Sequence, residues 1–197
     1  MEEVEIEFKN MLTEEEFNRI KDGLSLAESD FFQQINDYLD TEDFSLKKKG
    51  CALRIRRKQG TYELTLKQPH TTGLLETSDQ LSRDEADRIL GSGAFPEGSV
   101  KARLIEIGIS PEKLRHVGTL STNRAERQWE EGLICLDKSS YFQKIDYELE
   151  YEVTDEKRGR ERFCELLNRF GIPLRPAENK IFRLYREKTR IARMERG

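Results

Sequence analysis

The 197-residue chain carries 34 Lys plus Arg against 38 Asp plus Glu, for a net charge of −4 with 37% charged and 36% hydrophobic residues. That length suits one domain with a real core, and the near balance of charge argues against nucleic acid as the ligand, which calls for a basic surplus. Cys51, Cys135 and Cys164 are scattered without CxxC spacing, so they form neither a zinc site nor a disulfide framework, and they suit a reducing compartment.

No apolar run approaches the length of a signal peptide or a membrane span, so the chain reads as soluble, cytoplasmic and free of membrane contact. Residues 2–9 alternate apolar and charged side chains and predict a strand, with Glu5, Glu7 and Lys9 on one face and Val4, Ile6 and Phe8 on the other. Thr13 and Glu16 form a capping box that opens a helix through about Leu24. A run of strands is expected next, over 31–39, 45–49, 52–58 and 62–67, with a turn at 40–43 and a Gln59-Gly60 hairpin.

Ser82 and Glu85 make a second capping box, 100–107 reads as a short helix, and Ser110-Pro111 predicts a helical turn through His116. Alternation returns over 120–129, 133–138 and 145–153. Thr154 is the expected cap of a helix whose Phe163, Leu166, Leu167 and Phe170 form an apolar stripe, ended by Gly171 and Pro173. From Lys180 the sequence is helical, and a basic tail over about 186–197 carries Arg186, Lys188, Arg190, Arg193 and Arg196. No linker divides the chain, which reads as one domain over 1–197.

The strand faces opposite the apolar ones are almost wholly ionic and tend to carry one sign each. Glu5 and Glu7 are acidic, Arg54, Arg56 and Lys58 basic, and Asp146, Glu148, Glu150 and Glu152 acidic. An ordinary half-solvated sheet mixes Lys, Glu, Thr, Ser and Gln on its wet face. A sheet closed on itself, with apolar faces outward under helices and ionic faces lining the bore, explains the segregation better. So many gathered charges are costly unless they pair or take a ligand. A cationic side suits a polyphosphate and an acidic side a divalent metal.

Glu5-x-Glu7-x-Lys9 has the form of the signature of the CYTH superfamily, the triphosphate tunnel metalloenzymes. Tyr38-Leu39-Asp40-Thr41, Leu53-Arg54-Ile55-Arg56, Leu64-Thr65-Leu66-Lys67, Asn123-Arg124, Asp137, Glu148-x-Glu150 and Asn179-Lys180 follow in the family's order. The resemblance spans Glu5 to Lys180 or slightly beyond. It implies an α+β fold, a closed eight-stranded antiparallel β-barrel or tunnel with an ionic interior, flanked by helices. It also implies Mg²⁺ or Mn²⁺ as cofactor, with Glu5, Glu7, Asp137, Glu148 and Glu150 on the metal side.

By the same resemblance Lys9, Arg54, Arg56, Lys67, Arg124 and Lys180 are expected to bind phosphate, with Lys9, Arg56 and Lys180 nearest the chemistry. Arg183 joins them by its three-residue spacing from Lys180. The lining holds no Ser-His-Asp or Cys-His set. His70 and His116 are expected on the surface, in a turn and at a helix end. Metal-dependent hydrolysis of a triphosphate small molecule, tripolyphosphate first, is the leading expectation. Class IV-type adenylate cyclase, thiamine triphosphatase and a non-enzymatic polyphosphate or nucleotide sensor are the alternatives.

Overall fold

The computed structural model describes residues 1–71 and 73–194; Arg196 of the basic tail lies outside the described residues. Eight strands close into a barrel in the order β1-β5-β4-β3-β2-β6-β7-β8. They are β1 Glu2–Leu12, β2 Phe31–Thr41, β3 Ala52–Lys58, β4 Thr61–His70, β5 Gly73–Leu81, β6 Leu114–Trp129, β7 Gly132–Tyr141 and β8 Lys144–Val153. Among the described residues six α-helices accompany them: α1 Glu14–Gly23, α2 Ser45–Lys48, α3 Arg83–Ser92, α4 Ser99–Glu106, α5 Glu156–Arg169 and α6 Lys180–Met194. Among the described residues no helix is long and apolar enough to cross a membrane.

The chain divides into two compact units, one of 1–4, 34–120 and Lys180 onward, the other of 5–33 and 121–179. In the first, Leu53 and Ile55 of β3 and Leu64 and Leu66 of β4 are fully buried against Ala86 and Ile89 of α3 and Val100 and Leu104 of α4. In the second, Leu136, Leu149 and Tyr151 of β7 and β8 are buried against Phe17 and Ile20 of α1 and Phe163, Leu166 and Leu167 of α5. In each unit the apolar strand face therefore lies under helices, and the ionic face is the one turned away from them. This is the polarity the alternation predicts.

Local chemistry explains most element ends. Thr13 Oγ1 accepts from the Glu16 amide while Glu16 Oε2 accepts from the Thr13 amide at 2.8 Å, and Ser82 with Glu85 repeats the box. Gln59 and Gly60 both hold positive φ, 49° and 81°, which suits the primed turns that match strand twist. Gly159 lets α5 lie directly on the sheet, since a Cβ there would stand 2.5 Å from Val153 Cγ2 and 2.9 Å from Phe8.

Three expectations are corrected and one strand is added. Residues 45–48 form α2, because Asp40 Oδ1 accepts from the Leu46 amide and Oδ2 from the Lys47 amide, capping a helical turn. The helical turn expected through His116 is a 3₁₀ turn of three residues, Pro111–Lys113, after which β6 begins and carries His116. The cap of α5 is Asp155, which accepts from the Arg158 amide, rather than Thr154. Residues 73–81, for which the pattern predicts no element, form β5 by pairing along β4 from Tyr62↔Leu81 to His70↔Gly73.

Glu16 also holds a bidentate ion pair with Arg175, at 2.6 and 3.0 Å. The Arg175 hydrogen bonds hold the buried Glu16 carboxyl below its ordinary range. A carboxyl depressed in the folded state stabilises above its unfolded pKa, and that contribution is lost as pH falls through the folded value. Arg175→Ala is therefore expected to lower stability at neutral pH and to flatten the loss on acidification. Urea unfolding at pH 7 and pH 3 reads both; an equal decrement at the two pH values would contradict the assignment.

Candidate metal and phosphate site

Strand register builds the acidic side. Lys9 of β1 stands opposite Glu150 of β8, Glu7 opposite Glu152, and Asp137 of β7 opposite Glu148. Arg124 of β6 stands opposite Asp137. Alternation then gathers Glu5, Glu7, Lys9, Arg124, Asp137, Glu148, Glu150 and Glu152 on the face away from the helices. Asp137 is completely buried, Glu148 and Glu150 nearly so, and Arg124 is 6% exposed. These side chains are enclosed, so the bland alternative of an ionic face in water does not hold for them.

Arg124 is the counter-charge of this cluster. Its Nε donates to Asp137 Oδ1 at 2.7 Å, one terminal nitrogen donates to Asp137 Oδ2 at 2.6 Å and to Glu150, and the other lies 3.7 Å from Glu152. Burial opposes the guanidinium charge, but Asp137 and Glu150 outweigh it and push its pKa further up. Lys9 Nζ lies 2.7 Å from Glu7 Oε1 and 3.7 Å from Glu150, and it donates to Asn179 Oδ1 at 3.2 Å. Asn179 immediately precedes Lys180, where α6 starts.

One carboxylate oxygen each from Glu5, Glu7 and Glu152 lies within 4.8 Å of the others. Burial pushes the Glu152 carboxyl up to about 7; Arg124 works against this, and Glu5, Glu150 and Glu7 add to it. Three converging carboxylates, one of them raised chiefly by burial, fit a hard divalent cation, which takes oxygen ligands and offsets their gathered negative charge. Of the sequence-expected metal residues, Glu5 and Glu7 belong to this group, while Asp137 and Glu150 face Arg124. Glu148 is buried opposite Asp137 on the same face.

Glu152 was missing from the expected set, although it is the third member of Glu148-x-Glu150-x-Glu152. Cys135 also shares this face, opposite Glu150, with its Sγ 3.6 Å from Glu152 Oε1. Burial pushes that thiol pKa well up, so it stays protonated.

In the other unit β3 and β4 carry the cationic face. Arg54 stands opposite Thr65 and Arg56 opposite Glu63. Arg56 Nε donates to Asn36 Oδ1 of β2 at 3.0 Å, and Lys67 pairs with Glu76 of β5. Glu76 escaped sequence reading because β5 did. Arg183 is buried on α6, while Lys180 begins that helix. His116 lies on β6 with Nε2 3.1 Å from Thr119 Oγ1 and 3.3 Å from Asp37, and His70 ends β4.

The sequence matches the CYTH domain family over residues 3–185. This chain belongs to the CYTH family. It is 51% identical over 187 residues to a Bacillus subtilis (strain 168) protein named "Putative triphosphatase YjbK", covering 95% of this chain and 97% of that one. A Bacillus halodurans structure described as "a putative adenylate cyclase" superposes with a TM-score of 0.90 at 47% identity, over 92% of this chain and 97% of that one. HpAC1 from Hippeastrum, described as a "putative adenylyl cyclase" with a dominant triphosphatase activity, superposes with a TM-score of 0.76 over 95% and 96% of the two chains. At 24% identity that likeness bears on the fold of this CYTH chain.

Proposed function

We propose that this CYTH protein hydrolyses a triphosphate, tripolyphosphate foremost, with the help of a divalent metal. The observation that carries the reading is the acidic face of β1, β7 and β8, whose part-buried Glu5, Glu7 and Glu152 converge while Arg124 neutralises the buried Asp137 and Glu150. A receptor for a polyanion alone gains nothing from such carboxylates. CYTH triphosphatases are generally divalent-metal dependent, and the resemblance to a named triphosphatase at 51% identity supports the same class.

Glu5, Glu7 and Glu152 would hold the metal, with Glu148 completing that side. When bound, Mg²⁺ or Mn²⁺ supplies Lewis-acid polarisation of phosphoryl oxygens and neutralises their charge. Arg54, Arg56, Lys67 and Arg183 supply donors for phosphate oxygens, with guanidinium forks matching them in pairs. Lys9 and Lys180 add positive charge where the transferring and leaving phosphates become more negative. Binding all three phosphates on fixed strands holds the scissile bond in one orientation, which is most of what phosphoryl transfer asks of a protein.

The Bacillus halodurans relative's description favours one second reading, cyclisation of ATP. A panel of tripolyphosphate, ATP and thiamine triphosphate, each with and without Mg²⁺ or Mn²⁺, separates the outcomes by phosphate, pyrophosphate and cyclic nucleotide released. Metal-dependent phosphate release fastest from tripolyphosphate is expected. Tight binding without release from any of the three would overturn the hydrolase reading, and cyclic AMP as main product would establish the cyclase.

A further inference from the structure

Helix α6 carries Arg183, Arg186, Arg190 and Arg193 at intervals of three, four and three residues, which keeps all four along one side of the helix. Arg183 is buried at one end of this row, and the other three are exposed. Those three, with Lys47 of α2, Thr189 and Met194, line an open cavity of about 610 Å³. Lys47 is held there by the rings of Tyr185 and Phe44, whose centroids lie 4.9 and 5.6 Å from its Nζ. Arg190 forms a bidentate ion pair with the buried Glu187, whose carboxylate accepts from its Nε at 3.0 Å and from a terminal nitrogen, so its charge is largely balanced and Arg186, Arg193 and Lys47 supply the cationic character of the cavity. Among the described residues four cations and no acid line the cavity, although the chain as a whole carries a net charge of −4.

We propose that this cavity, whose lining shares no residue with the cationic face of β3 and β4, is a second phosphate site that takes condensed inorganic phosphate. Guanidinium groups present paired N–H donors that fit phosphate oxygens, and the volume lies in the range of small-ligand sites. Among the described lining residues none is aromatic, and the nearby Phe44 and Tyr185 rings are engaged by Lys47, which favours the bare phosphate chain over nucleic acid. The row of arginines continues to the buried Arg183, so a chain bound here lies along a line of positive charge that raises its local concentration.

Calorimetric titration of the full chain with tripolyphosphate, in chelator so that nothing turns over, tests this directly. Two sites are expected in the unaltered protein. The Arg186→Glu/Arg193→Glu variant and, independently, Lys47→Glu are each expected to weaken one of them about tenfold or more and to reduce the salt dependence of binding. Arg54→Ala/Arg56→Ala is expected to remove the other site and leave this one. Because Lys47 lies off α6, its variant decides the matter if the helix variant fails to fold. Unchanged stoichiometry and affinity in the α6 and Lys47 variants would overturn the proposal, as would tighter binding of a single-stranded RNA of equal charge. Failure of the hydrolase reading is separately visible, because it removes phosphate release and leaves this binding in place.

Discussion

Glu5→Gln and Glu152→Gln are each expected to lower metal-stimulated phosphate release by about a hundredfold or more, since roughly 3 kcal/mol of lost charge stabilisation is that large in rate. Each substitution keeps the side-chain shape and removes one negative oxygen from a group whose three carboxylates lie within 4.8 Å. The fold is expected to survive, because Glu152 in the metal-free protein already holds its proton up to about pH 7 and the amide imitates that form. Turnover at saturating Mn²⁺ and far-UV circular dichroism, measured on the same preparations, check both halves. Unchanged rates in both variants would defeat the placement of the metal.

Arg124→Met is expected to cost about 3–5 kcal/mol, the usual penalty for breaking a buried ion pair by removing one member. Asp137 and Glu150 both accept from this one guanidinium, and both are buried. For a chain of this size that loss lowers the unfolding midpoint by roughly 10 °C. Adding Asp137→Asn to Arg124→Met removes one of the two buried acidic charges that Arg124 faces and is expected to recover part of the loss. A double-mutant cycle read by thermal unfolding gives the coupling; strictly additive costs would show that Arg124 does not act through Asp137.

Where a strand's alternation is strict, the sequence was enough to orient it. Leu53 and Ile55 against Arg54 and Arg56, and Leu149 and Tyr151 against Glu148 and Glu150, face as the pattern requires. Burial of Asp137 and Glu148 then shows that the ionic side is enclosed, which no single strand could reveal. Misses arose where structure is imposed from outside the segment. β5 contains Glu76-Thr77-Ser78-Asp79-Gln80, too polar for a strand signal, yet β4 templates it residue by residue. α2 exists because the Asp40 carboxylate caps it, a contact six and seven residues away that has no local period.

The candidate site was legible for the same reason and incomplete for the same reason. Spacing of two marks residues that share a strand face, but it does not say which carboxylates meet across strands. Glu152 joins Glu7 through the β1–β8 register, and Asp137 is drawn to Arg124 through the β6–β7 register. Register is a long-range property, fixed by closure of the barrel.

The most direct test is a crystal structure grown with tripolyphosphate and Mn²⁺, with data collected at the manganese edge. An anomalous peak within coordination distance of the Glu5 and Glu7 carboxylates, with phosphate density against Arg54 and Arg56, is the expected result. Manganese bound elsewhere, with those carboxylates bare and the phosphate chain away from both arginines, would contradict it.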